Sequence, residues 1–171
     1  MNLKEYVRDI HNFPKKGIVF KDISPLLNNG EKYHYVIKKI AELVKDCDVI
    51  VSPDARGFLF GAPTAVLLSK PFVMVRKAGK LPGETIKLNY QLQYGENILE
   101  IQTNQLKQNQ QVAIIDDVLA TGGTVSAIKK LVESQGAIVK KIVNFIELIS
   151  LKGREKFEKE NIEVSSILHY E

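Results

Sequence analysis

The sequence predicts an α/β fold, a mainly parallel sheet with helices on both faces, topped by a small N-terminal hood and carrying a β-hairpin with a flexible loop. Three observations carry this expectation. Short apolar runs rich in β-branched residues, at 49–51, 72–75, 112–115 and within 138–147, read as strands buried on both faces. Segments of helical periodicity separate them, as in parallel sheets built from strand–helix–strand units. The chain has 171 residues and no internal repeat, low-complexity tract or Pro/Gly-rich linker. A single domain over 1–171 is therefore expected, its hood formed largely by 1–30.

In chain order, Leu3, Tyr6, Val7 and Ile10 fall at helical spacing and predict a short amphipathic helix, ended by Phe13 and Pro14. Residues 17–25 mix apolar and polar positions and read as a strand or loop folded over the sheet. Asn28, Asn29 and Gly30 supply a turn before the clearest amphipathic helix, which carries Tyr33, Val36, Ile37, Ile40, Leu43 and Val44. The strand at 49–51 leads through a polar turn into a helix containing Phe60, Ala65, Val66 and Leu68. After the strand at 72–75, residues 76–85 hold Arg76, Lys77 and Lys80 with two glycines and a proline, the composition of a long mobile loop. Loops of that length in a compact domain are often lids. Segments 88–94 and 98–101 form a hairpin around Gly95. Val125, Ile128, Leu131 and Val132 mark the next helix, ended by Gly136, and strands at 138–147 and 164–168 flank a basic turn at 151–156.

The chemistry concentrates after the strand at 112–115. The run stops at Asp116 and Asp117, carboxylates that an apolar sheet interior would not hold without partners. They belong at the strand's carboxyl end, where open α/β sheets bind ligands. Ala120, Thr121, Gly122, Gly123 and Thr124 follow, then a helix. Glycines let backbone N–H groups approach an anion, threonine hydroxyls add donors, and the helix N-terminus adds positive potential. A phosphate cradle beside two carboxylates suits a ligand with both a phosphate and a diol, such as a ribose 5-phosphate. A Walker lysine and a dinucleotide glycine triplet are both missing. The alternative is that the aspartates cap the helix and the glycines only make a turn. Asp54, Ala55, Arg56 and Gly57 repeat the pattern with a cation at the mouth, suited to a second phosphate; a surface arginine on a connecting loop is the alternative there.

Composition narrows the partners. The net charge of +4 suits a small anion, the lysines are scattered, and no groove-reading element is visible, so nucleic acid is not expected. The single cysteine, Cys47, cannot make an internal disulfide and fits a reducing compartment as a structural thiol. Charged residues break the first ten positions, and no apolar run approaches the ~18 residues of a membrane span, so a cytoplasmic location without a membrane partner is expected.

The run 112–124 resembles the phosphoribosyl-diphosphate-binding motif of the type I phosphoribosyltransferases, and the likeness extends over nearly the whole chain. It implies adenine and 5-phosphoribosyl diphosphate as substrates, AMP and pyrophosphate as products, Mg2+ as cofactor and a homodimer. On that resemblance Asp116 and Asp117 hold the ribose hydroxyls, directly or through the metal, and no other metal ligand is assigned. Ala120, Thr121, Gly122, Gly123 and Thr124 hold the 5-phosphate. Asp54, Ala55, Arg56 and Gly57 form the pyrophosphate turn, and Arg76 and Lys77 meet the leaving pyrophosphate. Val19, Phe20 and Lys21 form the adenine segment, with Phe20 stacking on the base. Two positions depart from the family. Lys21 replaces an arginine, which removes any bidentate role but leaves the backbone role intact. Gln93 replaces a glutamate thought to manage a purine proton, and an amide cannot act as a general acid or base. A related enzyme for another purine and a regulatory protein without turnover are the rival readings.

Overall fold

The computed structural model describes residues 2–92 and 95–171, so Gln93 lies outside the described residues. The chain enters as a 3-10 turn, Leu3–Tyr6, capped by the Asn2 side chain. Strands β1 (Arg8–His11) and β2 (Val19–Asp22) then pair antiparallel as a separate two-stranded ribbon. This corrects the helix expected from Leu3, Tyr6, Val7 and Ile10. Helical structure stops at Tyr6, and Ile10 is a strand residue that is 38% exposed. Isolated short helices are marginal, whereas the ribbon gains a ladder and two ion pairs, Arg8 to Asp22 at 2.6 Å and Lys21 to Asp9 at 2.7 Å.

A short α1 (Ser24–Leu27) leads to α2 (Gly30–Val44), whose first turn is closed by the Asn29 side chain accepting from Lys32 N–H at 3.1 Å. The remaining elements are β3 (Val49–Pro53), α3 (Arg56–Leu67), β4 (Phe72–Lys77), β5 (Thr85–Leu92), β6 (Gly95–Gln102), β7 (Gln111–Leu119), α4 (Gly123–Ser134), β8 (Ile138–Leu148), a second 3-10 turn (Ile149–Leu151), α5 (Glu155–Glu158) and β9 (Glu163–Tyr170).

Seven strands form one sheet in the order β5-β6-β4-β3-β7-β8-β9. The strands from β4 through β9 in that order run parallel, and the β5/β6 hairpin joins antiparallel through β4. Alternate residues feed two cores. Val49, Val51, Val112 and Ile114 face the core closed by α4 through Ile128, Leu131 and Val132, while Ile50, Ala113 and Ile115 face the one closed by α2 and α3. On that second face Phe60 stacks on Phe145 with ring centroids 5.2 Å apart. Helices thus cover both faces, as the apolar strand runs demand.

Two elements are longer than their sequence runs. β7 continues past both aspartates to Leu119 because β8 pairs with it that far, Asp116 lying opposite Asn144. The hairpin strands span 85–92 and 95–102, and the segment between β4 and β5 shrinks to 78–84. Glu100, 1% exposed, ties that turn: its carboxylate accepts from the N–H of Lys80 at 3.1 Å, the N–H of Leu81 at 3.0 Å and the Thr85 hydroxyl at 3.2 Å.

Candidate active site

The expected site residues gather at the carboxyl ends of β3, β4 and β7, which are neighbours in the sheet. Asp116 and Asp117 are each only 7% exposed. Asp116 accepts the backbone N–H of Asp117 at 2.8 Å. Burial, and then the neighbouring Asp117 charge, push its carboxyl well above the ordinary range, against the opposing pull of Arg56. Gly57 makes this packing possible. A Cβ there would lie 2.7 Å from Pro53 Cδ and 3.0 Å from Asp116 Oδ1, so only glycine lets the first turn of α3 rest on the carboxylate.

Arg56 is more engaged than a cation waiting at an open mouth. Its guanidinium stands 2.5 Å from Asp117 Oδ2, donates to the Lys21 carbonyl at 3.1 Å and lies 4.4 Å from the centre of the Phe20 ring. The contact with Asp117 is ionic and not aligned as a hydrogen bond, so Oδ2 is a buried oxygen without a hydrogen-bonding partner. Asp54 Oδ1 is another, while Asp54 Oδ2 accepts from Arg76 Nε at 3.0 Å. Arg76 also donates to the Lys80 carbonyl at 3.3 Å, and Lys77 is exposed at the end of β4. Ala55 is exposed at the start of α3.

The ribbon supplies the third side. Phe20 is half-buried, outside both cores, with its edge against Phe13 at 5.1 Å, and Val19 is 41% exposed. The Lys21 ammonium is taken by Asp9 and by the Tyr170 ring, 4.0 Å from its centre, whereas the Lys21 carbonyl meets Arg56. The Lys21 side chain thus has partners of its own, and the segment meets Arg56 through its backbone carbonyl.

Between β7 and α4, Ala120, Thr121, Gly122, Gly123 and Thr124 line a cavity of about 80 Å³ together with Asp116, Val118, Leu119 and Val125. Gly122 has φ +78° and stands as the N-cap of α4 without a side-chain cap, so first-turn N–H groups have no capping side chain. A second cavity of about 270 Å³ is lined by residues 53–57, Asp116, Asp117, Val118 and Thr124. The two share Asp116, Val118 and Thr124. One elongated anionic ligand can therefore run from the helix terminus past the carboxylates to the Arg56 turn.

Sequence reasoning left residues 147–157 without a role. Glu147, 2% exposed, is gripped by both sides of the Arg154 guanidinium, Nε to Oε1 at 2.6 Å and Nη2 to Oε2 at 2.5 Å, and Gly153 packs directly on the Ala120 carbonyl. The only hint in the sequence is a glycine lodged between cations.

Known proteins resemble this chain over nearly its whole length. The profile of the phosphoribosyl transferase domain matches residues 23–168. An adenine phosphoribosyltransferase of Mycoplasmopsis agalactiae is 58% identical over 170 residues, covering 99% of this chain and all of that one, and that of Mycoplasmopsis fermentans is 60% identical over 171 residues with the same coverage. Among solved structures, the adenine phosphoribosyltransferase of Thermoanaerobacter pseudethanolicus superposes with a TM-score of 0.93 at 46% identity, covering 98% of both chains. The Saccharomyces cerevisiae enzyme, solved with an imino-altritol bisphosphate and adenine, superposes at 0.89 with 38% identity, covering 97% of this chain and 96% of its own.

Proposed function

The chain belongs to the phosphoribosyl transferase family, on the branch of the adenine phosphoribosyltransferases, and we propose that it joins adenine to 5-phosphoribosyl diphosphate, giving AMP and pyrophosphate in purine salvage. One observation carries the residue-level reading: the buried Asp116 and Asp117 pair lies between a phosphate-sized cavity at a helix N-terminus and an arginine resting on Phe20. That is the order of 5-phosphate, ribose diol and base in the product.

In this reading Ala120 to Thr124 hold the 5-phosphate and Asp116 and Asp117 hold the ribose hydroxyls. The C1–O bond to pyrophosphate breaks through an oxocarbenium-like state with the electron pair leaving on the pyrophosphate, a ring nitrogen of adenine attacks from the opposite face, and its ring proton passes to the pyrophosphate or to solvent. Asp54 to Gly57, Arg76 and Lys77 bind the pyrophosphate, whose charge grows as it leaves. A ligand diol competes with Arg56 for Asp117 and so turns the guanidinium toward the leaving group. Phe20 offers its ring to the base, and the backbone at Val19 and Lys21 offers polar groups to its edge.

Magnesium fits the donors present. No group of three or more His, Cys, Asp or Glu is gathered among the described residues, but Asp117 Oδ2 and Asp54 Oδ1 are buried carboxylate oxygens without hydrogen bonds, hard donors suited to an ion held mainly by substrate oxygens. Held there, the ion would supply positive charge against the diphosphate leaving group. A homodimer is part of the proposal, supported by an apolar surface on α2 and α3 where Val66 is 80% and Leu67 45% exposed beside a cavity of about 490 Å³. A cytoplasmic location agrees with Cys47, whose burial pushes the thiol up to about 11 and leaves it inert, and no described helix is long and apolar enough to cross a membrane.

The test is AMP formation from labelled adenine with phosphoribosyl diphosphate and magnesium, beside hypoxanthine, guanine and the Gln93→Glu variant. Turnover of adenine alone by the wild type is expected, with sedimentation as two chains. Silence in the wild type with activity restored in Gln93→Glu would instead leave a chain that binds its ligands without turnover.

A further inference from the structure

We propose that Arg154, locked onto Glu147, is a positioning residue for the loop Ala120 to Thr124 and thereby sets affinity for the substrate's 5-phosphate without touching it. The inference rests on the reading of that loop as the 5-phosphate site. Glu147 sits on β8 opposite Leu119, the last residue of β7 before the loop. Its carboxyl is held below the usual range chiefly by the Arg154 hydrogen bonds, despite burial. Arg154 continues to Glu158 at 3.2 Å, so one guanidinium fixes both ends of the segment that follows.

That segment is the back wall of the loop. A Cβ at Gly153 would collide with the Ala120 carbonyl and come within 3.1 Å of Gly122 N. A Cβ at Gly122 would in turn meet the Gly153 carbonyl at 3.0 Å, Phe157 Cε2 at 3.0 Å and Lys156 Cε at 3.2 Å. The two stretches therefore touch backbone to backbone. Gly122 brings no side-chain cap to hold the turn, and α5, with four residues, is too short to hold itself. The loop's shape is inherited from the wall, and the wall's position from the Arg154 fork. Donors aimed at an anion lose affinity when the groups behind them loosen.

The test compares Arg154→Lys, which keeps the charge beside Glu147 and removes the fork, with Gly153→Ala, which keeps the ion pair and pushes on Ala120. The readouts are KM for each substrate, kcat, and the affinities of AMP and adenosine, which differ in the phosphate. The expected result for both variants is a rise of about tenfold in KM for phosphoribosyl diphosphate and in Kd for AMP, the low end for loss of an orienting group. The adenosine affinity, the KM for adenine and kcat should stay within about twofold, a split that a general loss of folded enzyme would not produce. Thr124→Ala separates the two layers of the argument. If it leaves AMP binding intact, the loop is not the phosphate site and the proposal falls with that reading. If it weakens AMP while both Arg154→Lys and Gly153→Ala bind AMP normally, or lose AMP and adenosine alike, the site reading stands and the positioning role is wrong.

Discussion

Asp116 is held where a carboxylate is least stable, enclosed by protein and next to a second acid, and its carboxyl is raised well above its ordinary 3.8. The unfolded chain ionises near 3.8, so between that value and the raised one the folded state binds the extra proton, and stability falls as pH rises through the window. Each unit of such a shift corresponds to about 1.4 kcal/mol. Asp116→Asn keeps the acceptor for the Asp117 N–H and removes the titration. Its melting temperature should exceed the wild type's by several degrees at pH 8, with the gain vanishing toward pH 4, while turnover drops steeply, the usual trade at a site built for a ligand. Equal melting at both pH values would mean that Asp116 is not strained. The two aspartates were legible because they end an apolar run. What occupies Arg56 was not, since its partners Phe20, Lys21 and Asp117 come from elements far apart in sequence.

Between β4 and β5, composition suggests a loose basic loop, and the fold supplies a buried anchor. Two backbone donors from the turn and the Thr85 hydroxyl at the start of β5 converge on Glu100, which lies on β6 and pairs with Arg76 across the ladder. Glu100→Gln preserves the shape but turns one acceptor oxygen into a donor facing donors. Trypsin should then cut after Lys77 and Lys80 roughly tenfold faster than in the wild type, where the ordered turn resists it; unchanged cleavage would assign the order to something other than Glu100. The same reasoning separates readable elements from unreadable ones. Strands β3, β4, β7 and β8 and helices α2 and α4 announce themselves by period and apolar content. The ribbon of β1 and β2 does not, because nothing within residues 3–10 shows that 19–22 will pair with them.

At the scale of the whole molecule, the proposed phosphoribosyl site reads in the sequence as a composition of loop types that the family likeness ties to one reaction, whereas the adjacency of those loops depends on sheet order. β3 lies between β4 and β7, so the Arg56 turn, the Arg76 strand end and the aspartates become adjacent although the chain visits them far apart. Register pairs such as Val51 with Ile114 and Ile114 with Ile142 then run through the centre of the domain directly beneath the site. A ligand gripping all three strand ends reports on the opening of the entire sheet. AMP at a hundred times its Kd adds about 2.7 kcal/mol to unfolding. Amide hydrogens of Val51, Ile114 and Ile142 should therefore exchange with deuterium about a hundredfold more slowly together, by the same arithmetic, and slowing confined to residues 120–124 would mean that the strands open independently. The central strands thus make nucleotide occupancy readable from amides that never approach the nucleotide.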